Sequence, residues 1–249
     1  MAVLITGHKG FIGQNMMAAL PGSVGYEWGD GPLSLTGIDR VIHLGAISST
    51  ACTDEAQLQK QNVDFSIDLL DRCALRRIPV QFASSAAVYG PAATTFQETD
   101  PAAPRNPYAK SKRVVEEYIL SRDWPMPVQA FRYFNVYGLH EGHKAQPSPH
   151  SRFRLQAVAT GQVQVFEGSE EIYRDFVPVE RVIEVHKRFF DLPVTGVYNI
   201  GTGKAVSFMD VARTVALETD SEIVTVPMPY IPEYQRFTQA DMTKTNSLL

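Results

Sequence analysis

Along the first 135 residues, short apolar runs alternate with longer stretches whose apolar positions recur every three or four residues. That alternation predicts strands separated by helices. AVLIT (2–6), VIHL (41–44), PVQFA (79–83) and Val128 to Tyr133 read as strands, and NMMAAL (15–20) reads as a helix. Asp54 to Arg77 reads as one long helix with Leu58, Val63, Ile67, Leu70 and Ala74 on its apolar side. Tyr108 to Leu120 is the next, with Val114, Val115, Tyr118 and Ile119 as its apolar face. Pro107 stands at its start, where a missing N–H leaves no bond unmade. Apolar strands alternating with helices predict a parallel sheet covered on both faces. One stretch breaks the rhythm. Ser23 to Trp28 reads as a second strand, yet only about a dozen residues separate it from VIHL. A full crossover needs at least roughly 10 to 12 residues, so a helix and a strand are expected to be shortened or absent there.

After Tyr137 the pattern changes. HEGHKAQPSPHSRF (140–153) is polar and reads as a loop running into a helix from about Ser151 to Thr160. VQVFEG (163–168) and Tyr173 to Val179 are short apolar segments, Val182 to Phe190 and Ser207 to Glu218 read as helices, and VYNIG (197–201) reads as a strand. PMPYIPEY (227–234) is too rich in proline for regular structure. This half is expected both to return elements to the main sheet and to build a small lobe.

Composition narrows the possibilities. The chain is 44% hydrophobic and 20% charged, which excludes the disordered class. A net charge of −4 offers no basic surplus for nucleic acid. Cys52 and Cys73 stand outside any CxxC or Cys/His cluster and read as reduced thiols. His140 and His143 lack the Asp or Cys that would complete a zinc set, so no metal is expected. The N-terminus lacks a signal peptide's basic start, and no apolar run approaches the roughly 20 residues of a membrane span. A cytoplasmic protein without a membrane partner is therefore expected.

Two motifs carry chemistry. Gly7, Gly10 and Gly13 follow the first strand and open a helix. Without Cβ atoms the chain can turn there and approach a diphosphate, which the helix N-terminus attracts. Gly7, Gly10, Phe11, Ile12 and Gly13 are thus candidate dinucleotide contacts. Glu27 or Asp30 is expected at the adenosine end, where an acidic group favours NAD; Asp30 is retained as the candidate. No Arg lies between Val24 and Ile38 to receive a 2′-phosphate, but the choice between NAD and NADP stays open. The second motif joins SSAAVYG (84–90) to YAKSK (108–112). Tyr108 and Lys112, four apart, share a helix face, where an ammonium can lower the phenol's pKa and hold a ribose. A Ser hydroxyl can bond the substrate oxygen. This set resembles the extended short-chain dehydrogenase/reductases.

The second half sharpens the resemblance. FRYFNVYG (131–138), EGHK (141–144), FEGSE (166–170), YRDFV (173–177), NIGTG (199–203) and FTQAD (237–241), with ISST (47–50) before them, resemble in their order the ADP-glycero-manno-heptose 6-epimerase family. That family implies a Rossmann-type α/β fold with a small C-terminal substrate lobe, taken as residues 1–138 and 139–249. It implies one tightly bound NADP or NAD per subunit, a nucleotide-diphosphate sugar as substrate and a homo-oligomer. It implies Ser85, Tyr108, Lys112 and Lys144 as the catalytic set, the last a second acid/base. Asn62 is implied beside the cofactor. Ser48, Ser49, Asn135, Arg174, Gln235, Phe237 and Gln239 are implied at the substrate. The implied reaction is redox-neutral inversion at C6″ of an ADP-heptose through a transient ketone.

The chain departs from that family between residues 23 and 41, and at AQPSPHSRF (145–153) after EGHK. Glu180 stands where many relatives carry Asp, and the family continues in a helical tail beyond FTQAD. Two other functions fit the motifs: a nucleotide-sugar epimerase acting at C4 or elsewhere, and a non-catalytic dinucleotide-binding protein. A dehydratase fits less well, because Ala86-Ala87 stand where such enzymes carry an Asp-Glu pair.

Overall fold

The computed structural model describes every residue except 92, 93, 143, 145, 146 and 231–233. Along the described chain run β1 (Val3–Thr6), α1 (Phe11–Ala19), β2 (Val24–Tyr26), β3 (Arg40–His43), α2 (Glu55–Leu58), α3 (Phe65–Arg76), β4 (Val80–Ser85), α4 (Pro107–Leu120), β5 (Val128–Tyr133) and β6 (Asn135–Tyr137). Then come α5 (Pro149–Thr160), β7 (Gln162–Phe166), β8 (Tyr173–Pro178), α6 (Val179–Arg188), β9 (Gly196–Ile200), β10 (Ala205–Ser207), α7 (Phe208–Thr219), β11 (Glu222–Val226) and α8 (Thr243–Asn246).

The main sheet is wholly parallel, in the order β2-β1-β3-β4-β5-β9. It is a Rossmann-like sheet flanked by helices. Strand alternation explains its two faces. Leu4, Val41, Val80, Phe82, Val128 and Ala130 turn toward α3 and α4, where Leu69, Leu70, Val115 and Ile119 meet them. Phe131, Tyr133, Tyr198 and Ile200 turn the other way, toward Val182 and Val185 of α6 and Phe189 just after it. Val3, Ile5 and Ile42 also face that way, over Met16 of α1. The C-terminal lobe has its own core, in which Phe153 and Ala157 of α5 and Val211 and Val215 of α7 close over Val163, Val165 and Phe176. There β8 pairs with β6 and β10, and β7 with β11.

One expectation is revised and one takes its fuller form. The helix expected over 54–77 is not one continuous α-helix: residues Gln59–Asp64 form a π-helical turn between α2 and α3. Such a turn inserts a residue and marks functional places; here it carries Asn62. Residues 27–39, all described, hold neither helix nor strand, so β2 is the edge of the sheet. The shortened crossover is thus missing its whole strand and helix.

Two buried histidines tie elements together. His186 of α6 donates from Nδ1 to Gln81 Oε1 (2.7 Å). Gln81 Nε2 in turn donates to Gln129 Oε1 (2.9 Å). His186 Nε2 therefore accepts the Tyr133 hydroxyl proton at 2.6 Å. His43 of β3 accepts from Thr6 Oγ1 at Nδ1 (2.6 Å). Its Nε2 donates to Ser66 Oγ (2.8 Å), whose own proton goes to the Asn62 carbonyl (2.6 Å). Each ring has one donor and one acceptor partner and is neutral. Burial, joined at His43 by the nearby Lys112 charge, pushes both pKa values down to about 3.

The sign of the pH effect follows. Between pH 6.5 and 3 the unfolded chain binds protons at these two positions and the folded chain does not, so stability is lost as pH falls through that window. From the ordinary histidine value, each should cost about 2 kcal/mol by pH 5 relative to neutral pH. Urea denaturation at pH 7 and pH 5 should show this loss, and His186→Gln should reduce it.

Candidate active site

The glycine loop between β1 and α1 is shaped for a close ligand. Gly7 has φ +71, and a Cβ there would lie 2.6 Å from Gly45 N. A Cβ on Gly13 would lie 2.1 Å from the Gly7 carbonyl. The first glycine thus makes the turn and the third lets helix and strand approach. No side chain caps α1 and no acid stands in its first turn, so its N-terminal N–H groups can meet a diphosphate. These are the features a dinucleotide's diphosphate requires, and the loop fits it.

The loop opens into a cavity of about 630 Å³, within the range of small-ligand sites. Its walls bring together most of the residues that the sequence singled out. Gly7, Gly10, Phe11, Ile12 and Gly13 form one side. Ser85, Tyr108 and Lys112 form another, and Ser48, Ser49, Asn135 and Lys144 complete the enclosure.

The centre of the site is α4. Asn106 Oδ1 caps it by accepting from Ala109 N (2.8 Å). Tyr108, Lys112 and Glu116 follow at four-residue steps along one face. Burial pushes the Tyr108 phenol up from its ordinary pKa, and the Ser85 hydroxyl opposes that shift. The Lys112 ammonium lies 6.0 Å from the Tyr108 ring centre and donates to the Ala83 carbonyl (2.7 Å). Burial brings its pKa down to about 7, against the pull of Glu116. Glu116 is committed elsewhere: Arg132 Nε and Nη2 grip its two oxygens at 2.9 and 2.7 Å. Ser84 Oγ adds a third bond at 2.6 Å.

Glu141, Lys144 and Pro147 to Pro149 border the same cavity from the chain that follows β6. His140 has φ +65, a left-handed turn that leads into Glu141. Glu141 is buried and accepts from Ser148 N (2.6 Å), Ser148 Oγ (2.7 Å) and Ser151 Oγ (2.6 Å). Its carboxylate is also 3.6 Å from Lys144 Nζ, and that ammonium sits 5.1 Å from the Phe11 ring centre. Glu141 therefore staples the start of α5 and holds Lys144 at the wall of the cavity. Pro147, Ser148 and Pro149, from the segment that departs from the family, line the cavity beside it. His143 lies outside the described residues. Among those residues no cluster of His, Cys, Asp or Glu is arranged for a metal, and no helix is long and apolar enough to cross a membrane.

Six of the singled-out residues do not line the cavity. Asp30 accepts from Glu27 N (2.7 Å), and it is Glu27 that reaches the cavity, accepting from Lys9 N (2.6 Å). Asn62 is fully buried. It accepts from Ile47 N (2.8 Å) and donates to Ile47 O and Ser111 Oγ (3.0 Å each), so it positions the 47–50 loop against α4. Arg174 donates to the carbonyls of Tyr173 and Gln235. Gln235 donates to Gly90 O (3.1 Å), Gln239 to Gly203 O (3.1 Å), and Phe237 packs near Tyr173 with ring centres 6.5 Å apart. These four bind the C-terminal segment to its neighbours.

Asp175 is what joins RDF, NIGTG and QAD in space. It accepts from Thr202 N (2.8 Å), Thr202 Oγ1 (2.6 Å), Gly203 N (2.9 Å) and Ala240 N (3.1 Å). A Cβ on Gly201 would lie 2.6 Å from its Oδ2. Three distant segments therefore meet on one buried carboxylate.

Comparison with known proteins decides the family. The NAD dependent epimerase/dehydratase family matches residues 31–201. The chain belongs to that family. Among solved structures, an epimerase/dehydratase-like fold is shared with Helicobacter pylori ADP-L-glycero-D-manno-heptose-6-epimerase at 25% identity and a TM-score of 0.85, over 98% of this chain and 88% of that one. MoeE5, solved with UDP-glucuronic acid and NAD, matches at 27% identity and 0.84, over 100% and 92%. The UDP-N-acetylglucosamine 4-epimerase of Methanobrevibacter ruminantium matches at 22% and 0.88, over 99% and 91%, and shows the shared fold.

Within this family member, the Glu116–Arg132 pair should be required for stability. Glu116→Ala leaves a buried guanidinium without its carboxylate and should cost about 3–5 kcal/mol in urea denaturation. The double variant Glu116→Leu/Arg132→Met removes both charges and should recover most of that loss. Equal losses in the single and double variants would contradict the pairing.

Proposed function

We propose that this chain is a nucleotide-sugar epimerase that interconverts ADP-D-glycero- and ADP-L-glycero-β-D-manno-heptose by inverting C6″. The observation that carries this reading is that two separate proton-handling groups border one cavity. They are Tyr108, with Ser85 and Lys112, on the β4–α4 side, and Lys144 on the 140–149 segment. Inversion through a ketone must move hydrogen across both faces of one carbon. A bound NAD(P) supplies the hydride acceptor and donor. One of Tyr108 and Lys144 takes the C6″ hydroxyl proton as hydride leaves. After the sugar turns, the other returns a proton to the oxygen. Because the reaction is reversible, each serves as acid in one direction and base in the other. Ser85 bonds the reacting oxygen as it gains carbonyl character, and Lys112 holds the ribose. Asn135, Ser48 and Ser49 are proposed sugar contacts. Arg174 is proposed to turn from its two carbonyl partners to the substrate diphosphate, a fit for a guanidinium.

Glu27 favours NAD over NADP in this reading. Its carboxylate borders the cavity at the end of β2, where it would accept from ribose hydroxyls and repel a 2′-phosphate. NADH should bind at least about 10-fold more tightly than NADPH, a gap of about 1.4 kcal/mol. Fluorescence titration measures it, and Glu27→Ser should narrow it.

The second reading is a nucleotide-sugar epimerase acting at C4 or another position. The Pro147–Ser148–Pro149 wall favours it, because it alters the sugar side of the cavity. Chromatography of purified protein with ADP-D-glycero-β-D-manno-heptose separates the two. The L-glycero isomer should form, Tyr108→Phe should lower the rate about 100-fold or more, and Lys144→Ala should abolish conversion. Glu141→Gln should reduce kcat while leaving cofactor affinity intact. No conversion by folded, cofactor-loaded protein would reject the heptose, and turnover of a UDP-sugar independent of Lys144 would select the second reading.

A further inference from the structure

In a doubly wound dinucleotide fold, the first mononucleotide half contributes three strands in the order 3-2-1. Here that half contributes β1 and β2, and the next strand, β3, lies on the far side of β1. The end of the cavity beside β2 is therefore walled by what the following loop and α3 supply. The loop supplies Trp28. Its side chain is 42% exposed, a large apolar surface left open at the wall of the cavity. It is nevertheless held. The indole meets Phe65 edge to face at 5.3 Å and 89°. Phe65 is in turn stacked by Tyr26 at 5.9 Å and 13°, and met edge-on by His43 at 5.6 Å. Tyr26 and Phe65 border the same cavity.

We propose that Trp28 is the platform on which the cofactor's adenine stacks, taking over from the strand and helix that this fold lacks. The inference rests on the chain's binding a dinucleotide. Position supports adenine over the other parts of the ligand. Trp28 follows Glu27, whose carboxylate takes the Lys9 N–H of the glycine loop, so it lies on the side of the diphosphate away from Tyr108. From β2 to β4, which carries Ser85, there are three strand spacings, about 14 Å. That span suits the two bases of an extended dinucleotide. Physics supports it as well. An aromatic face fixed by a perpendicular neighbour has lost its rotational freedom before binding, so stacking costs little further order. Covering the exposed indole also removes apolar surface from water.

The chain has two tryptophans, and Trp124 packs against Tyr118 and Arg122, outside the cavity. Trp124→Phe therefore leaves Trp28 as the single indole reporter. In that background, NAD and ADP-ribose should change the Trp28 emission, and nicotinamide mononucleotide should not. By calorimetry, Trp28→Ala should weaken NADH and ADP-ribose about 10- to 100-fold, the range of base-on-aromatic stacking. Trp28→Phe should retain most of the affinity. NADH binding with unchanged indole emission and an unchanged Kd in Trp28→Ala would overturn the platform and leave cofactor binding standing. Failure of folded wild-type protein to bind NADH or NADPH would overturn both.

Discussion

The buried grip of Arg132 on Glu116 fixes where the chemistry can happen. Both side chains are essentially sealed from water. Removing two charges from water is expensive, and their attraction offsets it only when geometry is good and the remaining lone pairs are satisfied. Here both conditions hold: the contact is bidentate, Ser84 takes the spare carboxylate position, and the guanidinium lies 4.5 Å from the Tyr89 ring centre. The pair joins α4 to β5, and Ser84 joins both to β4. Lys112 and Tyr108 sit one and two turns back along the same helix face. Their positions are inherited from an ion pair that never touches a ligand.

The pair also shapes the charge of Lys112. Glu116 is one turn away and would ordinarily hold the ammonium well charged. Its oxygens, however, are already neutralised by Arg132, so desolvation wins and the pKa comes down to about 7. Behind Lys112, the buried chain from Thr6 through His43, Ser66 and Asn62 to Ser111 is satisfied at every donor and acceptor named. A network complete in this way specifies one arrangement, whereas a half-paired one would be costly. The polar interior of this protein serves to place the helix face that borders the cavity.

Much of this was legible in sequence because the relevant signals are local. The glycine spacing, the four-residue step from Tyr108 to Lys112 and the strand–helix alternation are all read within one turn or one strand. The strand and helix missing between β2 and β3 were legible from a simple count of residues. Three things were not. Asn62 uses its amide on Ile47 and Ser111, and no local pattern shows that partnership. Of Glu27 and Asp30, only the turn itself, in which Asp30 accepts from Glu27 N, shows that Glu27 borders the cavity. Glu141 was visible as a letter in EGHK, yet its work depends on Ser148 and Ser151 folding back onto it.

Asp175 shows why the C-terminal motifs resist local reading most. Its four acceptor contacts reach Thr202, Gly203 and Ala240, separated from it by 27, 28 and 65 residues. Each motif alone is a short polar segment with nothing to recommend it. Together they form a buried junction where β8 of the lobe, the turn after β9 of the main sheet and the C-terminal segment share one charge. The carboxylate's negative charge is met by backbone N–H groups and a hydroxyl, with no cation at salt-bridge distance among the described residues. Apart from the Thr202 hydroxyl, the junction demands that three backbones lie where they do. A Gly at 201 follows from the same demand, since a methyl group there would occupy the space of the carboxylate. The lobe and the sheet are thereby coupled at one carboxylate, largely through main-chain N–H groups.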